Sequence, residues 1–370
     1  MTDRRVLAAV AAAVVLLAAV LIVLIAEGMR AVVRFDEPDT SLTYQVADWL
    51  LSMSPQPDPD WPELVDVAEI EPYLPQLKAN AVGIGSSTFE ELRTDEASIN
   101  HVVNGCLQMK PNLSKTMSYL RPELFNPFNP MFYFHDSART LPGDLQAFLD
   151  RYSFRKVRLT TNAEGARITV PLIERADKVL IAGDSMAMSL GLSDEETLAS
   201  QLQARDRSRQ YVSIGIGGAD PADILCALKR AGERYRGQIR GVIYPLSEND
   251  LADRKPFGRP EELIPALAEF QREHAIAEFT LVYMPYIYNA MPDVTRIRGH
   301  VEYLRRRPHE EKKALLAEAR KAKFRVLDYT EMTDAERAAH GSQFAAFALF
   351  VDHAHLSALG NARLVERLAP

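Results

Sequence analysis

Cysteine is almost missing from this chain: two residues, Cys106 and Cys226, stand among 370. Two sulfurs cannot build a thiolate-rich zinc site. Cys226 lies in an apolar, helix-like stretch, and the expectation is a pair of buried free thiols rather than a disulfide. Basic charge is short as well, with 43 Lys and Arg against 50 Asp and Glu and a net charge of −7. Phosphate backbones are held by clustered cations, so this balance excludes a nucleic-acid partner. The densest basic run, Arg305-Arg306-Arg307, is followed after Pro308 by Glu310, Glu311, Lys312 and Lys313, mixed signs that mark a solvated surface. Internal repeats and low-complexity tracts are lacking. Ala81-Val82-Gly83-Ile84-Gly85-Ser86-Ser87 lacks the lysine and the glycine spacing of a phosphate loop and reads as an ordinary turn. Nothing in the chain points to a cofactor.

Charged residues make up 25% of the chain and hydrophobic ones 47%, enough at this length for one large core or two smaller ones. One long hydrophobic run is present. Residues 6–26 contain neither charge nor proline, and about twenty apolar residues suffice to span a bilayer. The exit Leu24-Ile25-Ala26-Glu27 is a poor cleavage site, which favours an uncleaved, single-pass signal anchor over a leader peptide. Arg4 and Arg5 precede the run and Arg30 and Arg34 follow it, so the positive-inside count is nearly tied. The short leading tail favours an inside N-terminus, with the remainder outside the cytoplasm in a periplasm or at a cell surface. Three segments follow: the anchor at 1–34, an extension at 35–155 expected to be partly helical and loop-rich, and a main domain at 156–370. In the extension, residues 41–53 have helical spacing, and Pro55, Pro57, Pro59 and Pro62 then read as a linker or rigid turn. Asn126-Pro127-Phe128-Asn129-Pro130, followed by Met131-Phe132-Tyr133-Phe134, reads as a loop packed on the main domain, with a substrate-cleft wall as the alternative.

From Lys178 onward the pattern becomes regular. Candidate strands at 179–182, 211–216, 241–245, 279–284 and 324–327 alternate with helical stretches at 195–204, 222–231, 260–274 and 309–323, and a last helix at 358–368. Such alternation predicts an α/β fold with a parallel five-stranded sheet and helices on both faces. Right-handed crossovers bring the strand ends to one edge.

The polar residues of interest fall at that edge. The run Val179-Leu180-Ile181-Ala182 ends in Gly183-Asp184-Ser185, placing Ser185 where open α/β sheets put ligands. A serine hydroxyl there is a candidate nucleophile if a base stands next to it. The second strand is followed by Gly215, Gly217 and Gly218, which alone read equally as a weak dinucleotide cluster or a tight turn before a helix. The third is followed by Ser247-Glu248-Asn249-Asp250, where an Asn-Asp pair can also cap a turn. The last helix is preceded by Asp352-His353-Ala354-His355.

Gly183-Asp184-Ser185, Gly218, Asn249 and the Asp352/His355 pair, in this order, resemble the blocks of the SGNH (GDSL-type) hydrolase superfamily across residues 159–368. The resemblance implies a flavodoxin-like three-layer α/β/α sandwich and ester or acyl-transfer chemistry. It makes Ser185 the nucleophile, His355 its base and Asp352 the acid that orients the imidazole. The oxyanion hole would then be the N–H groups of Ser185 and Gly218 with the Asn249 side chain; among the three glycines, the spacing to the next helix favours Gly218. One departure stands out, since Ser247 occupies the position where the third block usually has glycine. An α/β-hydrolase shares the Ser, Asp, His chain order, but Gly183-Asp184-Ser185-Met186-Ala187 lacks the second glycine of that nucleophile elbow.

His353 and His355 together invite a metal reading, yet no second cluster with ligand spacing is evident, and His353 reads as a helix-start or cleft-rim residue. Tyr283, Tyr286 and Tyr288, at and just beyond the end of the fourth strand, read as structural packing, with a cleft-wall role as the alternative. Residues 160–167 resemble the hairpin-like lead-in of extracytoplasmic members and carry no expected catalytic role. The expected activity is that of a membrane-anchored serine esterase acting on an O-acetyl or other acyl ester of a surface or exported glycan. The alternatives are an O-acyltransferase with the same triad and a catalytically inactive glycan-binding or assembly protein.

Overall fold

Strands begin at the first described residues. β1 (Asn100–Val103) and β2 (Cys106–Met109) form an antiparallel hairpin around Asn104-Gly105. Both turn residues have positive φ, the two-residue geometry whose twist matches that of the flanking strands. β3 (Ser114–Leu120) then pairs antiparallel with both β4 (Phe132–Asp136) and β5 (Ser153–Thr160). On β3, Met117 and Tyr119 are fully buried and join the main core.

The central sheet is built from runs apolar on both faces, as parallel strands covered by helices require. β6 (Lys178–Ile181) is followed by the short helix α1 (Ser185–Met188), then α2 (Leu198–Arg205) and β7 (Gln210–Ser213). α3 (Pro221–Arg234), β8 (Ile239–Ser247), α4 (Pro260–Glu273) and β9 (Glu278–Met284) continue the alternation. A separate hairpin joins β10 (Thr295–Ile297) to β11 (His300–Glu302). α5 (Glu310–Lys321), β12 (Arg325–Asp328), α6 (Thr330–His340) and α7 (Ala358–Leu368) end the chain.

The sheet order is β12-β9-β8-β6-β7, and every pairing in it is parallel. Numbered by sequence within the sheet this is 2-1-3-4-5, the flavodoxin-like order, whose switch point lies between its first and third strands, here β6 and β8. The chain leaves β6 towards one edge and returns past it to β8, so right-handed crossovers put α2 and α3 on opposite faces. α7 packs on α2, while α3, α4 and α5 pack in succession. The helices have local causes. In α3, the Asp220 side chain accepts the Asp223 N–H at 3.0 Å, Pro221 opens the first turn, and Ile224, Leu225, Leu228 and Ala231 form the buried stripe.

This computed structural model describes residues 99–120, 132–136, 153–251, 257–286, 310–340, 348–352 and 354–368, the β10–β11 hairpin and a few positions between 143 and 150. The apolar run at 6–26, the stretch 41–53, the proline run, the glycines of 81–87, residues 126–131, Arg305–Arg307, Tyr288 and His353 lie outside the described residues. Among those described, no helix is long and apolar enough to cross a membrane. The chain divides into two compact units; the larger, 62–292 with 305–370, contains the central sheet, and the β10–β11 hairpin belongs to the other.

One expectation is overturned. Cys106 and Cys226 are not free thiols: they are joined in a disulfide, with Cα atoms 6.3 Å apart. The reason is tertiary. The β1–β2 hairpin lies along α3, where the Leu107 N–H donates to Asp223 Oδ1 at 2.9 Å, and this contact brings together sulfurs 120 residues apart in sequence.

Candidate active site

β6 delivers the chain to Gly183, whose φ is +155°. A Cβ there would sit 2.9 Å from both the Ala187 Cβ and the Pro245 carbonyl oxygen, so the turn between strand and helix admits no side chain. Asp184 then caps α1, its Oδ1 accepting the Met186 N–H at 2.8 Å. Ser185 is the first residue of that helix. From residue 179 to residue 192 every position is buried except Ser185.

The partners of Ser185 arrive from the far end of the chain. Phe350 and Leu356 are bridged, and the Val351 N–H donates to the His355 carbonyl at 2.8 Å, closing a tight loop. Inside it, Asp352 Oδ1 accepts the N–H groups of Ala354 and His355, each at 2.8 Å. The other oxygen, Oδ2, lies 2.7 Å from His355 Nδ1, and His355 Nε2 lies 2.7 Å from Ser185 Oγ. The carboxylate thereby fixes the imidazole with Nδ1 as donor and Nε2 as acceptor facing the hydroxyl. Burial pushes the imidazole towards its neutral form, but the charge and hydrogen bond of Asp352, with the charge of Asp184 behind them, prevail and raise its pKa above 6.5.

Beyond β7 the chain runs beside the serine turn: the N–H of Ile214 donates to the Ile181 carbonyl at 2.9 Å and that of Ile216 to the Gly183 carbonyl at 3.0 Å. Ile216, Gly217, Gly218 and Ala219 then form a β-turn closed by the Ala219 N–H on the Ile216 carbonyl at 3.1 Å. Positive φ at Gly218 (+75°), and not at Gly217, makes this a type II turn, which requires glycine or asparagine at its third residue.

Asn249 stands on the single 3-10 turn Glu248–Asp250 that follows β8; its side chain lies outside the described part. The departure at Ser247 is accommodated, since its backbone is extended (φ −83°, ψ 152°) and needs no glycine. Glu248 is buried and ties this turn to the end of β9: it accepts the hydroxyl of Tyr283 and, at 3.1 Å, the backbone N–H of Tyr286. Burial raises the Tyr286 phenol pKa, and the charges of Asp184, Glu248, Asp250 and Asp352 raise it further. Through its bond to the backbone N–H, Glu248 holds the backbone at Tyr286 beside the turn that carries Asn249.

Sequence reasoning passed over Arg167, which lies in the lead-in segment 160–167. Its guanidinium is fully buried and donates to the carbonyls of Met188 (2.7 Å), Ser189 (2.9 Å) and Leu192, all in or just beyond α1. The signal was thin: one arginine in a hairpin, whose partners at Met188, Ser189 and Leu192 lie more than twenty residues away. Among the described residues there is no group of three or more His, Cys, Asp or Glu placed to hold a metal ion.

No protein-family model matches the chain, and no curated relative matches it. Several solved structures are similar to it. A member of the lipolytic protein G-D-S-L family from Veillonella parvula is 14% identical, over 52% of this chain and 95% of that one, with a TM-score of 0.37. A carbohydrate acetylesterase family member from Sinorhizobium meliloti is 17% identical, over 52% and 94%, with a TM-score of 0.34. The acetyl xylan esterase AlAXEase is 16% identical, over 52% and 97%, with a TM-score of 0.38. Likeness at these levels carries no argument about activity, which rests on the geometry above.

Proposed function

We propose that the chain is a serine esterase that forms an acyl-enzyme on Ser185. The observation that carries this reading is the unbroken line from Ser185 Oγ to His355 Nε2 and from His355 Nδ1 to Asp352 Oδ2, 2.7 Å at each step. In the first half-reaction the Ser185 oxygen bonds to the ester's acyl carbon while its proton passes to His355 Nε2. The tetrahedral intermediate places its negative oxygen against the N–H groups of Ser185 and Gly218 and the Asn249 amide. Collapse breaks the ester C–O bond, and the leaving alkoxide takes the proton from His355. Water repeats the sequence and frees the acid.

An acylated carbohydrate, with an O-acetyl group on a surface or exported glycan, is the substrate we favour. The anchor-like run at 6–26 supports it, because an enzyme tethered outside the cytoplasm meets such polymers. The disulfide supports the same placement, since disulfides persist in oxidising compartments. Carbonate extraction of membranes, together with protease treatment of intact cells, tests the single-pass, outward-facing arrangement; a carbonate-soluble full-length protein would count against it.

The chemistry is tested with purified protein, p-nitrophenyl acetate and a fluorophosphonate probe. The wild type should turn over the ester and be labelled, whereas Ser185→Ala should do neither. Turnover by Ser185→Ala at the wild-type rate would remove the proposal. Acetate released from an acetylated polysaccharide, against acetyl transferred to an added acceptor glycan, distinguishes the esterase from an O-acyltransferase.

A further inference from the structure

The β1–β2 hairpin precedes the central sheet and contributes no member of the triad, yet it touches the β-turn that holds Gly218. Asn100, almost fully buried, donates from Nδ2 to the carbonyl oxygen of Gly217 at 2.7 Å. That carbonyl and the Gly218 N–H belong to one peptide unit, so they point in opposite directions from one rigid plane. In a type II turn this central peptide is the one whose flip converts the turn to type I. With glycine on both sides, no side chain opposes the flip.

We infer that Asn100 is a positioning residue for the oxyanion hole: by holding the Gly217 carbonyl on one side, it keeps the Gly218 N–H turned to the other, towards the reacting ester. The inference rests on the esterase reading of the site. Donation to the carbonyl also polarises the same amide and strengthens its N–H as a donor. The hairpin is anchored well enough for this task. Its second strand is bonded to α3 through Cys106–Cys226, and the Leu107 N–H donates to Asp223 Oδ1 at 2.9 Å. The Lys110 N–H closes back on the Ile99 carbonyl at 2.8 Å, fixing the residue before Asn100. Part of the extension thus becomes a support for catalysis.

Two variants test this on p-nitrophenyl acetate, with rates expressed per serine titrated by the fluorophosphonate. Asn100→Asp keeps the size but presents a carboxylate that cannot donate and repels the carbonyl; Asn100→Ala removes the group. Each should lose roughly 10- to 100-fold in kcat with KM nearly unchanged, less than the roughly 100- to 1,000-fold of deleting a donor outright. Binding of an aryl boronic acid, whose tetrahedral adduct uses the same hole, should weaken in proportion, and the acid limb of the pH profile should not move. A purely structural role would instead lower the titrated fraction and the melting temperature, leaving kcat per labelled site intact. That result, or a loss confined to KM, overturns the inference. If Asn100→Ala fails to fold, boronate binding by Asn100→Asp decides alone. Full turnover by Ser185→Ala would overturn the reading of the site itself, and this inference with it. An inactive Ser185→Ala beside fully active Asn100 variants would overturn this inference alone.

Discussion

The guanidinium of Arg167 lies against the carboxylate of Asp194, Nε to Oδ1 at 3.1 Å, with both side chains almost wholly withdrawn from water. Asp194 Oδ1 also accepts the Thr160 N–H at 3.1 Å, so the pair joins β5 to the segment after α1. Breaking such a pair from one side leaves a buried charge uncompensated, which costs about 3–5 kcal/mol. Arg167→Ala should therefore lose that much in urea unfolding, and it also strips donors from the carbonyls behind Ser185. Arg167→Lys should recover little, because an ammonium has three donors where the guanidinium presents five. The double variant Arg167→Ala/Asp194→Ala should be more stable than Arg167→Ala alone. A single-variant loss below about 1 kcal/mol, the level of an exposed pair, would show that the pair contributes little.

How much of this could be read from the chain depends on how local each cause is. The five parallel strands were legible because each carries its own apolar run. Their bounds moved where tertiary contacts decide: β8 extends to Ser247, which is fully buried, while β7 stops at Ser213, after which the backbone turns over the serine loop. Ser185, Asp352 and His355 were legible because they sit in compact motifs, the last two joined by a turn three residues long. α6 was missed because its sequence carries no apolar stripe; Met332, Thr333 and Glu336 are what it buries. The β1–β2 hairpin was missed although Asn104-Gly105 is a strong turn signal. The disulfide, the Asn100–Gly217 bond and the carbonyl contacts of Arg167 join residues far apart in sequence, where no local pattern reports them.

The disulfide makes a separate prediction. Cross-linking across 120 residues restricts the unfolded chain, and losing a native bond of this kind costs about 2–5 kcal/mol. Cys226→Ser, or reduction of the wild type, should lower the melting temperature. Because the hairpin carries Asn100, kcat should fall in the same samples even where calorimetry shows the protein still folded. Equal melting temperatures for oxidised and reduced protein would refute the first part.

Gly183 gives a sharper local test. Its Cβ has no room, being flanked at 2.9 Å by the Ala187 Cβ and by a backbone carbonyl that cannot rotate away. Gly183→Ala should displace Ser185 from His355, removing most fluorophosphonate labelling and costing about 1–3 kcal/mol, as forced overpacking does. Labelling at the wild-type rate would mean the turn can shift without disturbing the hydroxyl.

The pH dependence follows from His355. In the proposed mechanism it is the general base and must be neutral, and its pKa is raised above 6.5 because the pull of Asp352 and Asp184 exceeds the effect of burial. The acid limb of kcat/KM should therefore inflect above 6.5. Stability runs the other way. A raised folded-state pKa means the charged imidazole is favoured in the fold, so its contribution is fully present below the unfolded value and is lost as pH climbs through the folded one. Urea unfolding of the wild type should lose stability with rising pH across that window relative to His355→Gln, which has no such proton to lose. Asp352→Asn removes the main source of the shift and the orientation of the ring. It should move the inflection down and lower kcat by a factor on the order of 10,000. An acid limb at or below 6.5 in the wild type would show that burial outweighs the two carboxylates, and that the imidazole rests neutral without their help.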